Sequence, residues 1–248
     1  MFFKKKPGLY KLRASYSAYG LVRVLVKGGV DEVEVLVPEG ATLKEIDKIL
    51  SDSGVISPNE LTEYREDLEG FLFPDTYKFH IDSEPKDVVQ KFLDNFDEKV
   101  SGLLGLGAKN NLISDTKNSN AYKTIILASL LEKELTDFKE RRIVSGILQK
   151  RIKSGWPLQV DATICYVVPM PCHPITPLDL KIDSPYNTYI NKGLPPTPIA
   201  NPGLEAIRAA INPQQSSYWF YLSDPKTGKT IFSKDLEEHS LNRALYLR

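Results

Sequence analysis

The sequence has few of the residues that most often identify a function. Its 248 residues include two cysteines and three histidines, and the Gly-rich phosphate loops, H-E-x-x-H and G-x-S-x-G do not occur in it. Cys165 and Cys172 fall in one loop, as a disulfide or as two separate thiols, and with His173 alone beside them they make a poor zinc site. We therefore expect no metal and no cofactor, and any catalysis must rest on carboxylates.

Excess charge and long apolar segments are also missing. Lys plus Arg and Asp plus Glu each number 32, so net charge gives no reason to expect nucleic acid as a partner. No apolar run approaches the roughly 18 residues of a membrane span. The N-terminal Met-Phe-Phe-Lys-Lys-Lys lacks the apolar core of a signal peptide. The composition, 42% hydrophobic and 26% charged, is typical of a soluble globular chain.

Hydrophobic periodicity predicts an α+β fold of helices and short strands. The first 55 or so residues indicate a β-α-β-α unit in which Thr42 caps the second helix and Glu45 completes a capping box. Further helices are expected over 57–68, 84–103, 121–135, 138–153 and 204–211, with a strand or extended segment over 68–77, a hairpin over 218–233 and a last helix from Leu236. We divide the chain into a small module, 1–55, and a main domain, 56–248.

One acidic residue falls where a helix should be apolar. At about 100° per residue, three leucines lie within roughly 60° of Glu134, whereas Glu132 projects to the opposite side. These leucines are Leu127, Leu130 and Leu131. A carboxyl group half-withdrawn from water has a raised pKa, which makes a glutamate a proton donor near neutral pH. The alternative is a glutamate at the edge of the core that pairs with Arg141 or Arg142.

Two later segments are predicted to carry polar groups on exposed loops. Residues 155–163 are expected to be extended, so that Gln159 and Asp161 share one face. More than half of the chain's 17 prolines lie between residues 167 and 203, which is typical of a long ordered loop that shapes a binding site. Within it, residues 184–189 combine polar and aromatic side chains suited to sugar rings.

Five sequence blocks, taken in order, resemble those of one enzyme family. The blocks are Glu69-Gly-Phe-Leu-Phe-Pro-Asp-Thr-Tyr77, Ala128-Ser-Leu-Leu-Glu-Lys-Glu134, Leu158-Gln-Val-Asp-Ala-Thr163, Ser184-Pro-Tyr-Asn-Thr-Tyr189 and Gly193-Leu-Pro-Pro-Thr-Pro-Ile-Ala-Asn-Pro-Gly203. Together they resemble the endolytic murein transglycosylases of the MltG (YceG-like) family, over nearly the whole chain. The resemblance implies a YceG-like catalytic domain over 56–248 and a partial, LysM-like module over 1–55.

The resemblance also implies a reaction. The β-1,4 bond between N-acetylmuramic acid (MurNAc) and N-acetylglucosamine (GlcNAc) is cleaved within peptidoglycan strands when the muramyl C6 hydroxyl attacks its own anomeric carbon, which gives a 1,6-anhydro end. The second glutamate of the family's Glu-Lys-Glu motif is the expected acid/base, and here that residue is Glu134. Since the substrate supplies the nucleophile, the second carboxylate of ordinary glycosidases is not needed.

The remaining expectations concern supporting residues, partners and location. Substrate-binding or orienting roles are expected for Gln159, Asp161, Asn187, Tyr189 and Glu69. The implied partners are peptidoglycan glycan strands and the peptidoglycan synthesis machinery. The resemblance implies an extracytoplasmic location with an N-terminal membrane anchor, and we expect this anchor to be missing from the chain.

Two other functions stay open at this point. The incomplete N-terminal module suits a non-catalytic scaffold that binds peptidoglycan without cleaving it. Alternatively, Glu134 and Asp161 are the paired carboxylates of a muramidase that uses water.

Overall fold

The computed structural model of this chain describes residues 17–27, 32–106, 119–168 and 175–247. Its main helices are α1 (Ala18–Lys27), α2 (Leu43–Asp52), α3 (Glu60–Tyr64), α4 (Pro85–Phe96), α5 (Asn120–Glu134), α6 (Phe138–Lys153), α7 (Asp161–Cys165), α8 (Leu204–Ile211) and α9 (Leu236–Tyr246). Helix α4 continues through a π-helical turn, Asp97–Ser101, into a short α-helix, Gly102–Leu104. The strands are β1 (Glu32–Leu36), β2 (Thr76–His80), β3 (Phe220–Ser223) and β4 (Thr230–Ser233). The prediction of an α+β fold with short strands is confirmed. The predicted first strand, Cys172 and His173 lie outside the described residues. So do most of residues 104–120, whose Gly, Asn, Lys and Ser predict a surface loop or a helix end plus a loop.

The N-terminal part forms as the sequence predicts. Thr42 caps α2: its Oγ1 accepts the N–H of Glu45, and the Glu45 carboxylate accepts the N–H of Thr42 at 2.8 Å. Strand β1 pairs with β2 in antiparallel register, with Leu36 opposite Thr76. This small sheet joins segments on both sides of residue 55. The division at that residue, and the likeness of residues 1–55 to a LysM module, stay predictions.

The segment 57–80 differs from its prediction. The helix expected over 57–68 is reduced to α3 and a 3-10 turn, Glu66–Leu68. The strand expected over 68–77 begins only at Thr76, because Gly70 has a φ of +90° and its N–H donates to the side-chain oxygen of Asn201 at 2.9 Å rather than to a neighbouring strand. A distant asparagine therefore sets the shape of this motif.

Helix α5 runs through the core and packs on α6 and α8. Leu127, Leu130 and Leu131 are at most 4% exposed. Ile125 and Ala128, on the opposite side of the helix, are equally buried, so α5 is apolar nearly all round rather than along one stripe.

The prediction that residues 155–163 are extended is wrong. Gln159 has a φ of +54°, and helix α7 begins two residues later. Thr188 explains the turn, since its carbonyl accepts the N–H of Gln159 and its hydroxyl accepts the N–H of Val160 at 3.0 Å. With these donors satisfied, the segment needs no partner strand.

The C-terminal third follows the prediction closely. Helix α8 occupies the expected 204–211, and β3 pairs with β4 as a hairpin, with Phe220 opposite Ser233. Helix α9 then packs on this hairpin. Within the described ranges, each helix is too short or too polar to cross a membrane.

Candidate active site

The carboxyl group of Glu134 lies where three elements meet. Glu134 is the last residue of α5. Its Oε2 accepts a hydrogen bond from the hydroxyl of Tyr221, on β3, at 3.1 Å. The backbone N–H of Ala162, in the first turn of α7, donates to the same carboxyl group. A hydroxyl and an amide from distant parts of the chain thus orient this one acid.

The surroundings of Glu134 favour its protonated form. Burial raises the pKa of its carboxyl group to about 7, and the negative charge of Asp161 adds to the rise. The hydrogen bonds from Tyr221 and Ala162 oppose it, because they stabilise the carboxylate. The side chain is half-buried and so keeps access to solvent. Near neutral pH the group therefore exchanges a proton readily in either direction.

Asp161 and Tyr189 form a pair beside Glu134. The Tyr189 hydroxyl donates to Oδ1 of Asp161, and burial together with this bond raises the pKa of Tyr189. Asp161 is close enough to Glu134 to raise the pKa of its carboxyl group. Of the residues expected to support Glu134, the structure brings these two to it.

Asn187 holds the loop on which this pair depends, whereas the side chain of Gln159 does not. Asn187 is fully buried, and its amide donates to the carbonyl oxygens of Leu180 and Ile182 at 3.1 and 2.9 Å. Its side-chain oxygen accepts the N–H of Tyr189 at 2.9 Å. Gln159 has an exposed side chain next to the left-handed turn. Asn187 is thus placed to position Tyr189, whereas the Gln159 amide faces solvent.

Glu69 lies in a separate cluster. Its Oε1 accepts the N–H of Leu43, at the start of α2, at 3.0 Å and the amide of Asn201 at 2.9 Å. Its Oε2 accepts the Tyr166 hydroxyl at 3.3 Å. Burial raises the pKa of Glu69 to about 7, against the effect of the Leu43 and Tyr166 bonds. None of these partners contacts Glu134 by a hydrogen bond among those described, so Glu69 ties the start of α2 to Asn201 and Tyr166 and takes no part in the cluster around Glu134.

Arg141, which the sequence suggested as a partner of Glu134, pairs with Glu132 instead. Oε1 of Glu132 lies 2.5 Å from Nη2 of Arg141, and the two side chains are 5% and 4% exposed. Oε2 of Glu132 accepts the N–H of Gly203 at 2.9 Å. Arg142 donates to the carbonyl of Asn212 instead. The two glutamates of the Glu-Lys-Glu motif therefore have different surroundings: one is ion-paired, and the other meets a hydroxyl and an amide.

Sequence reasoning missed Tyr221 and Arg151. The alternation of the 218–233 hairpin predicts the strand of Tyr221, but nothing in it indicates contact with a helix 87 residues earlier. Arg151 is 4% exposed, and its guanidinium donates to the carbonyls of Leu158 and Trp219 at 2.7 to 3.0 Å. It joins the segment before α7 to the segment before β3, and so holds together two of the elements around Glu134.

A disulfide bond lies at the end of α7, and metal-ligating side chains are scattered. Cys165, at the end of α7, is disulfide-bonded. The sequence has one other cysteine, Cys172, outside the described residues. In the described part of the chain, His, Cys, Asp and Glu side chains form no group of three or more that is placed to hold a metal ion.

Fold and site together define an α+β protein with an oriented, half-buried carboxylic acid of the general acid–base type. Comparison with known proteins identifies the family. The sequence pattern of the YceG-like family matches residues 3–244, so the chain belongs to this family.

Relatives in sequence and structure agree with that assignment. An endolytic murein transglycosylase of Bacillus subtilis is 28% identical over 269 residues, which cover 97% of this chain and 72% of the relative. One of Streptococcus pneumoniae is 28% identical over 283 residues, and this chain spans half of its length. The crystal structure of a YceG-like protein of Listeria monocytogenes superposes with a TM-score of 0.71 at 28% identity, over 96% of this chain and 85% of that one.

Proposed function

We propose that this protein is an endolytic peptidoglycan lytic transglycosylase with Glu134 as its single acid/base. The relatives named as murein transglycosylases support the substrate class and the reaction. The observation that carries the proposal is the half-buried carboxyl group of Glu134, bonded to Tyr221 and Ala162 and with a pKa of about 7.

In the first step, protonated Glu134 gives its proton to the oxygen between MurNAc and GlcNAc as the bond from this oxygen to the muramyl anomeric carbon breaks. In the second, the Glu134 carboxylate takes the proton of the muramyl C6 hydroxyl, whose oxygen bonds to the anomeric carbon. Glu134 ends protonated, no water is consumed, and the products are a GlcNAc hydroxyl and a 1,6-anhydro-MurNAc end. Tyr221 and Ala162 stabilise the carboxylate that exists between the two steps.

The rate enhancement expected from Glu134 is moderate. General acid–base help contributes typically about 10² to 10⁴ in rate, so orientation of the glycan strand supplies the rest. Asp161 and Tyr189 lie beside Glu134, and we assign them to positioning the sugar, while the buried Asn187 holds Tyr189 in place. The exposed amide of Gln159 is free to donate a hydrogen bond to the glycan strand.

The test is to digest purified peptidoglycan with the parent and with Glu134→Gln, and to measure the products by mass spectrometry. The parent should give anhydro ends, and Glu134→Gln should be about 10² to 10⁴ slower. Glu63→Gln makes the same chemical change on exposed α3 and should match the parent. Equal activity of Glu134→Gln and the parent would show that Glu134 is not the acid. No product from pure, folded parent would favour the non-catalytic scaffold.

The position of Asp161 favours a second candidate, a muramidase that uses water. Asp161 is close enough to Glu134 to affect its pKa, and paired carboxylates are the usual arrangement in glycosidases. The same digestion separates the two reactions, since a muramidase leaves hydrated reducing ends.

The proposed reaction also sets location and partners. Its substrate lies outside the cytoplasm, so we propose that the protein acts there, on glycan strands and beside the machinery that makes them. Co-purification of synthesis enzymes with this protein from cross-linked cells tests whether it acts beside that machinery.

A further inference from the structure

The only two tryptophans of the chain lie side by side. The ring centroids of Trp156 and Trp219 are 4.7 Å apart, and Phe220 lies 6.2 Å from Trp156. Trp156 is 43% exposed, although exposing so large an apolar ring to water is unfavourable. We call these three rings the aromatic platform: Trp156 is its exposed ring, and the half-buried Trp219 and Phe220 support it.

Basic side chains hold the aromatic platform in place from within. Lys150 Nζ lies 4.4 Å from the centre of the Trp219 ring, and the Arg151 guanidinium lies 5.2 Å from that of Phe220. The carbonyl of Arg151 accepts the N–H of Trp156 at 2.9 Å, while its guanidinium holds the carbonyl of Trp219. A binding surface that is fixed in advance loses little entropy when a ligand packs on it.

The aromatic platform is built on the same two segments that carry the groups around Glu134. Trp156 lies five residues before Asp161, and Trp219 lies two residues before Tyr221. The N–H of Trp219 donates to the carbonyl of Ser233, the residue opposite Phe220, which holds Trp219 at the start of β3, two residues from Tyr221. Two residues of strand span roughly 7 Å, a distance comparable to one pyranose unit. The guanidinium of Arg151, which lies 5.2 Å from the centre of the Phe220 ring, is also close enough to Tyr221 and Tyr189 for these residues to affect its pKa, so the platform borders the residues around Glu134.

We propose that the aromatic platform is a glycan subsite in which Trp156 packs against the C–H face of a pyranose ring beyond the bond that is cleaved. This inference rests on the proposed function, since it assigns the same polymer to both places. An apolar, rigid surface beside polar groups is what sugar rings require, because they present C–H groups on their faces and hydroxyls at their edges. Such a subsite adds affinity for long strands without taking part in the chemistry.

Fluorescence tests the subsite directly, because Trp156 and Trp219 are the only tryptophans. Soluble uncross-linked glycan strands are titrated into Glu134→Gln, which binds without rapid turnover, while calorimetry measures the same binding. We expect a saturable change in tryptophan fluorescence with the calorimetric Kd. Adding Trp156→Ala should weaken binding on the order of tenfold, as for other stacked rings, and Trp156→Phe should recover part of it. Binding with no fluorescence change would overturn the subsite.

Kinetics gives a second readout. Trp156→Ala in the otherwise unchanged enzyme should raise KM on the order of tenfold and lower kcat much less. The control is Tyr64→Ala, since Tyr64 is 44% exposed but lies on α3. If Trp156→Ala and Tyr64→Ala give the same KM, Trp156 does not form a glycan subsite. Cleavage by the parent would still support the proposed function in that case. Failure of the parent both to bind and to cleave would refute both.

Discussion

Replacing Glu69 by glutamine should make the protein more stable above neutral pH. Burial raises the pKa of Glu69 from 4.5 to about 7. A group whose pKa is raised by folding stabilises the fold fully below its unfolded pKa, and this contribution is lost as the pH rises through the folded value. Since one pKa unit corresponds to about 1.4 kcal/mol, the parent should lose about 3 kcal/mol from this group as the pH rises from 4.5 to 8.

Glutamine removes the titration of Glu69 and keeps one acceptor for each of its donors, losing only the second contact of the Leu43 N–H, which is to Oε2 at 3.1 Å. Its oxygen can accept the N–H of Leu43 and the amide of Asn201, and its NH₂ can donate to the Tyr166 hydroxyl, which rotates from donor to acceptor. The variant should therefore match the parent near pH 4.5 and exceed it by about 3 kcal/mol at pH 8. For a chain of this size, that is a rise in Tm of roughly 6 to 12 °C.

The measurement is urea unfolding of parent and Glu69→Gln at several pH values between 4.5 and 8. The quantity of interest is the difference between the two proteins, because other groups titrate in both. Glu63→Gln is the control at an exposed position, and it should track the parent throughout. A difference that stays constant with pH would refute the reasoning, since the pKa of Glu69 would then be the same in the folded and the unfolded protein.

Three further outcomes are expected. Tyr221→Phe removes a donor that lowers the pKa of Glu134, so kcat should fall roughly tenfold or more, and the alkaline limb of the pH–rate profile should move to higher pH; a limb that stays in place would contradict the bond. Glu132→Ala leaves the buried Arg141 without its carboxylate and should destabilise the fold by about 3 to 5 kcal/mol, measured by urea unfolding. Gly70→Ala should be difficult to fold, because its Cβ would lie 2.5 Å from a proline ring at a φ of +90°; a soluble variant with the parent's Tm would refute this.

Local signals predicted the elements that local chemistry determines. Thr42 and Glu45 specified the start of α2, because a capping box needs only residues three apart. The leucine spacing before Glu134 predicted a buried helix, and this helix is present. The different projections of Glu132 and Glu134 also followed from the helical period, since each then met different neighbours.

Long-range partners could not be read from the sequence. The extended segment predicted through Gln159 failed because Thr188, from another loop, accepts its backbone donor. The strand or extended segment predicted over 68–77 becomes a strand only at Thr76, because the side-chain oxygen of Asn201 accepts the N–H groups of Gly70 and Leu72. Tyr221 is one of 12 tyrosines, and neither its spacing nor its neighbours mark it as the partner of Glu134. In each case the deciding contact joins residues that only the tertiary fold brings together.

The hydrogen bond between Tyr221 and Glu134 also sets an order in time. The two residues are 87 positions apart, and at about 5 to 20 residues per second the ribosome makes them roughly 4 to 17 seconds apart. During that interval the nascent chain carries the acid without the hydroxyl that orients it. Completion of this site is thus delayed until Tyr221 has been synthesised, which separates the making of the acid from the onset of its chemistry.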